Sequence, residues 1–316
     1  MLTRRQIRVK VMQCIYALTL SQDESLDKQK IFLKESISNT YSLYLLVLSL
    51  LIELYKMERN FLKLSSKKYI TTKADSTSVD PQRFVKNQVL AQLANNEVLL
   101  DTLENKKLTN WDLHQDYIKI VFKAIKKSDI YTEYMGLEEV NYEKDKDFIA
   151  HLFKEIIAPN EKIYEYFEDD KLTWVDDIPL VNTFILKSIR KVKPDSPASY
   201  FLPDLLKDSD DIIFAEQLLV KTLLNNKAFE EEIQLKTPNW DKDRIADIDA
   251  ILLKMAICEL LHFPSIPERV TINEYLEIAK EYSTPKSSIF INGILDKMVR
   301  EYRQSGKLKK IGRGLL

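Results

Sequence analysis

Only five glycines occur in these 316 residues, at positions 136, 293, 306, 312 and 314. Glycine supplies the left-handed backbone of tight turns and lets a loop approach a ligand closely. A chain this poor in it has few hairpins to offer and no glycine-rich phosphate loop. Helices joined by short polar connections remain, and a 45% share of hydrophobic residues is enough to give them a core. The three glycines near the C-terminus are expected to mark a basic, flexible tail over 305–316.

The first helix is expected over 3–20, where Ile7, Val11, Cys14, Ile15 and Leu18 recur at steps of three and four. Arg4, Arg5 and Arg8 fall at its first turns and can share a face. A long helical region follows from Leu26 to about Leu64. Its most apolar stretch, 44–52, is ended by Glu53 and is too short for about 30 Å of hydrocarbon, so it reads as a buried helix. Asp80-Pro81 supplies a cap and a first-turn proline for the next segment. The Lys193-Pro-Asp-Ser-Pro197 break is a linker candidate, because proline stops a helix at or before the preceding residue.

Net charge is −1, but its distribution is uneven. Residues 1–22 hold four bases (Arg4, Arg5, Arg8, Lys10) and no acid, and residues 296–316 carry a net +5, so the body between them sums to −10. An acidic body with two basic ends suggests a local polyanion site. Cys14 and Cys258 lie far apart in apolar runs and read as reduced core residues of a cytoplasmic protein, and basic residues interrupt the N-terminus where a secretory signal needs an apolar run. His114, His151 and His262 have no metal-ligand spacing with the cysteines. No catalytic residue, metal or cofactor is expected.

Three phrases end in the chain's three tryptophans: Lys107-Leu-Thr-Asn-Trp111, Lys171-Leu-Thr-Trp174 and Lys236-Thr-Pro-Asn-Trp240. Phe148 and Phe214 stand 26 residues before the later two and Phe84 stands 27 before the first. Asn160 and Asn226 lie 14 before theirs, and Asn96 lies 15 before the first. After the tryptophan, Asn182-Thr-Phe-Ile-Leu-Lys187 aligns with Asp249-Ala-Ile-Leu-Leu-Lys254 after a one-residue slip. A degenerate helical unit with a period of about 65 residues is the reading this supports, with chance similarity in an Ile/Leu/Lys-rich chain as its competitor.

The last third is the most specific. A helix is expected from Asp241 to Leu261, broken by Pro264 and Pro267. Thr271 and Glu274 fit a capping box for the next helix, Thr284-Pro285 starts the last, and Gly293 inside it suggests a close backbone approach. Ile251-Leu-Leu-Lys-Met-Ala-Ile-Cys-Glu-Leu260, the Ile266-Pro267…Val270-Thr-Ile-Asn-Glu274 string and Phe290-Ile-Asn-Gly-Ile-Leu-Asp296, with the arginine-rich opening Arg4–Tyr16, resemble the NusB transcription antitermination family. The resemblance covers about 20 residues at the start and about 95 from near Asp210.

That resemblance implies an all-α, NusB-like helical bundle with an additional α-helical inserted domain: 1–22 as the first core helix, 23–204 as the insertion, 205–304 as the rest of the core, 305–316 as the tail. It implies a protein that performs no chemistry. Such a protein pairs with the small-subunit ribosomal protein that doubles as Nus factor E, binds single-stranded boxA-type RNA in nascent transcripts, notably of ribosomal RNA, and joins an RNA polymerase antitermination complex. It places Arg4, Arg5, Arg8, Lys10, Lys286, Ser287 and Phe290 at RNA, and Tyr16, Asp243 and Asp249 at the ribosomal partner. NusB-like domains also occur fused to RNA cytosine methyltransferases, but that enzyme class needs a cofactor-binding α/β domain which this sequence does not suggest. A helical adaptor without RNA binding is the other alternative.

Overall fold

The structure, a computed structural model, describes residues 1–21, 25–68, 80–237 and 246–315, and all regular structure in them is helical. It divides into two compact units: Met1–Ile37 with Leu205–Leu316, and Ser38–Asp204. Along the chain, α1 (Arg4–Ser21) is followed by α2 (Leu26–Lys68), whose first turns belong to unit one and whose remainder belongs to unit two. Unit two continues with α3 (Arg83–Lys86), α4 (Gln88–Ala94), α5 (Glu97–Asn105), α6 (Asn110–Leu113), α7 (Gln115–Lys126), α8 (Asp129–Met135), α9 (Tyr142–Leu152), α10 (Glu161–Asp170) and α11 (Ile178–Lys191). Unit one resumes with α12 (Ser209–Leu224), α13 (Asn226–Lys236), α14 (Asp247–His262), α15 (Glu268–Tyr282) and α16 (Ser287–Gln304).

At the centre of unit one is α14, with every residue from Ile251 to Leu260 except Lys254 buried. A helix apolar on all sides belongs inside a bundle, and α12, α13, α15, α16 and α1 all pack against it. The start of α1 is fixed by Gln6, whose Oε1 accepts from the Thr3 amide at 2.9 Å and from the Thr3 hydroxyl. Cys14 and Cys258 are buried and free, and burial pushes both thiols up to about 12.

Unit two is assembled on α2. Among the described residues α2 is the one helix long and apolar enough to cross a membrane, and 72% of its most apolar window is buried within the structure. The Trp174 indole donates to the Asn39 carbonyl at 2.8 Å. The Trp111 indole donates to the Leu46 carbonyl and the Ser49 hydroxyl, both at 3.0 Å. Asn39 and Leu46 are seven residues apart, two helical turns or about 10.5 Å of axis. Thr40 donates to Asp177 and Tyr44 to the Phe201 carbonyl from the same helix. Side chains of Asn87, Asn96, Asn141 and Asn160 cap the starts of α4, α5, α9 and α10.

In chain order Trp111 lies in α6, between α5 and α7, and Trp174 lies between α10 and α11, with α8 intervening between the two stretches. Phe84, Phe148 and Phe214 are buried, and so are Trp111 and Trp174. Trp240 lies outside the described residues.

Several local expectations are corrected. The 80–82 segment is a turn in which Asp80 accepts from the Gln82 amide, and the longer helix after it is capped by Asn87. Helix α15 starts one turn earlier than the Thr271–Glu274 capping box implied, with Pro267 at its N-cap. Thr271 is therefore an interior residue, free to serve another helix. An added Cβ at Gly293 would meet nothing within 4 Å, so no close approach explains that glycine. The tail returns to the core: the Ile311 amide donates to the Pro264 carbonyl at 3.0 Å, and Lys310 Nζ to the Phe263 carbonyl at 3.1 Å near the end of α14.

Candidate nucleic-acid interface

The basic residues of α1 separate into two kinds. Helix α1 packs on α12, α14 and α15 together, so it is buried almost all round from Ile7 to Ile15 and its amphipathic face is lost. Arg8 and Lys10 are each only 2% exposed. Arg8 donates to both oxygens of Glu259, at 2.7 and 2.8 Å, in the fork geometry a guanidinium prefers. Glu259 also accepts from the Thr271 hydroxyl at 2.8 Å and the Tyr275 hydroxyl at 3.2 Å. The Phe214 and Tyr275 rings lie 5.2 and 5.9 Å from the Arg8 guanidinium carbon.

Burial alone would lower the Arg8 pKa, but the Glu259 carboxylate, by its charge and hydrogen bonds, more than offsets that and raises it. Burial, with Glu259 beside it, lifts the Tyr275 phenol well above its usual value. Glu259 and Arg8 thus satisfy one another inside the bundle. Arg8 and Lys10, expected at RNA, are corrected to interior residues.

Arg4 and Arg5 are 42% and 41% exposed. Arg4 Nε donates to Asp211 at 3.0 Å, and its guanidinium lies 5.0 Å from the Phe214 ring centre. Arg5 grips both oxygens of Glu274, at 2.9 and 3.2 Å, and that hydrogen-bonded partner, against some desolvation, raises its pKa. Arg4, Arg5 and Glu274 line a cleft of about 730 Å³, with Thr3, Gln6 and Arg8 beside them, Ser265 to Pro267 in the α14–α15 turn, and Val270 on α15.

The second predicted cluster also divides. Lys286 is exposed at the start of α16 and Phe290 is half-buried. Ser287 is buried and donates to Asp249 Oδ2 at 2.7 Å, and Ser283 donates to Asp249 Oδ1 at 2.6 Å. Asp249 is therefore the internal acceptor that fastens the α15–α16 turn to α14. It is corrected from a partner-facing residue, and Ser287 from an RNA-facing one. Tyr16 is exposed on α1. Asp243 lies outside the described residues. Among the described residues no group of three His, Cys, Asp or Glu side chains could hold a metal ion.

Sequence reasoning missed Glu259, Glu274 and Asp211 as partners of the arginines, and Thr271 and Tyr275 as donors to Glu259. One signal existed: Glu259 is the single acid in the otherwise apolar run from Met255 to Leu261, and an acid in such a run implies a buried cation.

The NusB family pattern matches residues 191–300. The chain is 45% identical over 103 residues to the transcription antitermination protein NusB of Salinibacter ruber, covering 33% of this chain and 64% of that one. It is 40% identical over 129 residues to that of Chloroherpeton thalassium, covering 40% and 61%. Against that of Geotalea daltonii it is 39% identical over 119 residues, covering 38% of this chain and 79% of the relative. The chain belongs to the NusB family. It spans under two thirds of the length of the first two relatives, and most of unit two lies outside the stretch that the NusB family pattern matches. No solved structure matches this chain. Within the matched NusB stretch lie α14, α15 and most of α16, and with them Glu259, the turn of the cleft and Glu274.

Proposed function

We propose that this protein is a non-catalytic transcription antitermination factor that acts in the cytoplasm. In this reading it binds single-stranded boxA-type RNA with the small-subunit ribosomal protein known as Nus factor E, as part of an RNA polymerase antitermination complex. The observation that carries the proposal is the cleft of the NusB-matched unit, into which Arg4 and Arg5 bring two half-exposed guanidinium groups. Guanidinium forks suit phosphate oxygens, and unpaired strands are read by stacking and base-edge hydrogen bonds, for which half-buried Phe290 and exposed Lys286 are candidates. Tyr16, and Asp243 by resemblance, remain the proposed contacts of the ribosomal protein.

With Arg8 and Lys10 inside the bundle, two cations are few for tight binding, which favours a need for the second protein. The test is a gel shift of boxA-type RNA with and without the ribosomal protein, repeated across salt concentrations. Each phosphate that the protein neutralises on a single strand adds roughly 0.7 to the salt slope, so replacing Arg4 and Arg5 together with alanine flattens it by about 1.4. No shift with the partner present, or an unaltered slope, removes the cleft from the site.

A further inference from the structure

We infer that Glu274 is a specificity-determining residue of the cleft, a carboxylate that phosphate must displace before Arg5 can engage it. This deepens the RNA-binding reading and rests on it. Arg5 is not an idle cation: both oxygens of Glu274 occupy its fork, at 2.9 and 3.2 Å. Glu274 is held in turn, its Oε2 lying 3.5 Å from Arg8 Nη1, so the carboxylate cannot swing away without giving up its hold on a buried guanidinium. Arg4 shows the same pattern: Asp211, nearly buried, fixes it and also accepts from the Lys207 amide at 3.2 Å.

Both half-exposed arginines of the cleft are therefore compensated by anchored carboxylates. A phosphate that merely drifts in meets a neutral pair and a fixed negative oxygen, and gains little. A strand that also makes base contacts holds its phosphate in place long enough to share the guanidinium through its free edge. The carboxylate thereby denies a strand without such contacts the Arg5 interaction altogether, and costs a strand that has them only part of it. Discrimination rises at the expense of raw affinity, the usual outcome when repulsion is built against wrong partners.

The geometry separates two roles for Glu274. If it only positions Arg5, removing its charge weakens all RNA binding. If it gates Arg5, removing its charge strengthens binding, most of all for unrelated strands. Glu274→Gln keeps an oxygen for Arg8 and Arg5 while deleting the charge, so the fold is preserved.

The experiment titrates the full-length chain with the ribosomal protein against two 12-nucleotide RNAs, a boxA-type strand and oligouridylate, over a range of salt. The gating role predicts that Glu274→Gln binds oligouridylate about three- to fivefold more tightly at low salt, the size expected for releasing one half-exposed ion pair. Its salt slope steepens by about 0.7, and the ratio between the two strands narrows. In an Arg5→Gln background the same change has no effect. If wild type binds and Arg5→Ala weakens it, but Glu274→Gln is neutral or weaker, gating is overturned while RNA binding stands. If neither strand binds wild type at any salt, both readings fall together.

Discussion

The two units use buried polarity differently, and an internal alignment makes the comparison direct. Where Asn182–Lys187 is set against Asp249–Lys254, Glu259 of unit one falls opposite Val192 of unit two. Glu259 anchors Arg8 across 251 residues of chain, whereas Val192 is simply buried. Unit two ties its helices to α2 through neutral bonds as well, Trp111 and Trp174 onto main-chain carbonyls and Tyr44 onto that of Phe201, beside a bond from Thr40 to the Asp177 carboxylate. Its buried Arg83 likewise ends on the carbonyls of Tyr134 and Met135, although Glu58 of α2 does form an ion pair with Lys126. A main-chain acceptor is available whatever side chain it bears, so such a bond constrains one residue. A buried ion pair constrains two.

The sharpest way to break the comparison is Arg8→Ala. It strands the Glu259 carboxylate in the bundle and should cost about 3–5 kcal/mol in urea denaturation. The double change Arg8→Met with Glu259→Leu should recover most of that, since well-packed apolar residues can replace a buried pair at little cost. Equal losses in both variants would show that the pair is not the anchor.

Asp249→Lys comes next. It leaves Ser283 and Ser287 without their acceptor and buries a charge, a loss of about 3 kcal/mol, while Asp249→Asn keeps one acceptor oxygen and should lose about 1 kcal/mol. Full stability in the lysine variant would return Asp249 to the surface.

In unit two, Trp174→Phe should cost about 1–2 kcal/mol for the missing indole bond and its orphaned carbonyl. Asn39→Ala, at the accepting residue, should change stability by less than about 0.5 kcal/mol because the acceptor is backbone. Comparable losses at both would mean that the Asn39 side chain, not its carbonyl, holds the tryptophan. Arg4→Ala with Arg5→Ala should likewise have only a small effect: half-exposed pairs contribute under about 1 kcal/mol each, so thermal melting should shift little.

The fold class and helix positions are legible in the sequence because periodicity and breakers are local. The α1 helix, the Pro264–Pro267 break and the buried cysteines all follow from spacing and composition. The fates of Arg8, Lys10, Ser287 and Asp249 are not legible, because burial there is decided by helices far away in sequence. Spacing places Arg4, Arg5 and Arg8 on one face, yet α14 and α15 cover its inner end and leave only the first turn open. The Thr271–Glu274 pair carries a local meaning as a cap, and its actual partners, Glu259 and Arg5, lie on other helices. Unit two keeps a plain helical pattern with few distinctive strings, as expected of a scaffold that bonds to backbone.

The separation between Arg8 and Glu259 also sets an order of events during synthesis. At about 5–20 residues per second, a ribosome that has made Arg8 needs roughly 13–50 s more to make the carboxylate 251 residues on. For that interval the first helix carries a guanidinium with no home and an apolar face with no cover. The whole of unit two is contiguous in sequence and emerges in the meantime. Helix α1 is thus made long before it can be seated, and completion of the cleft waits on α15.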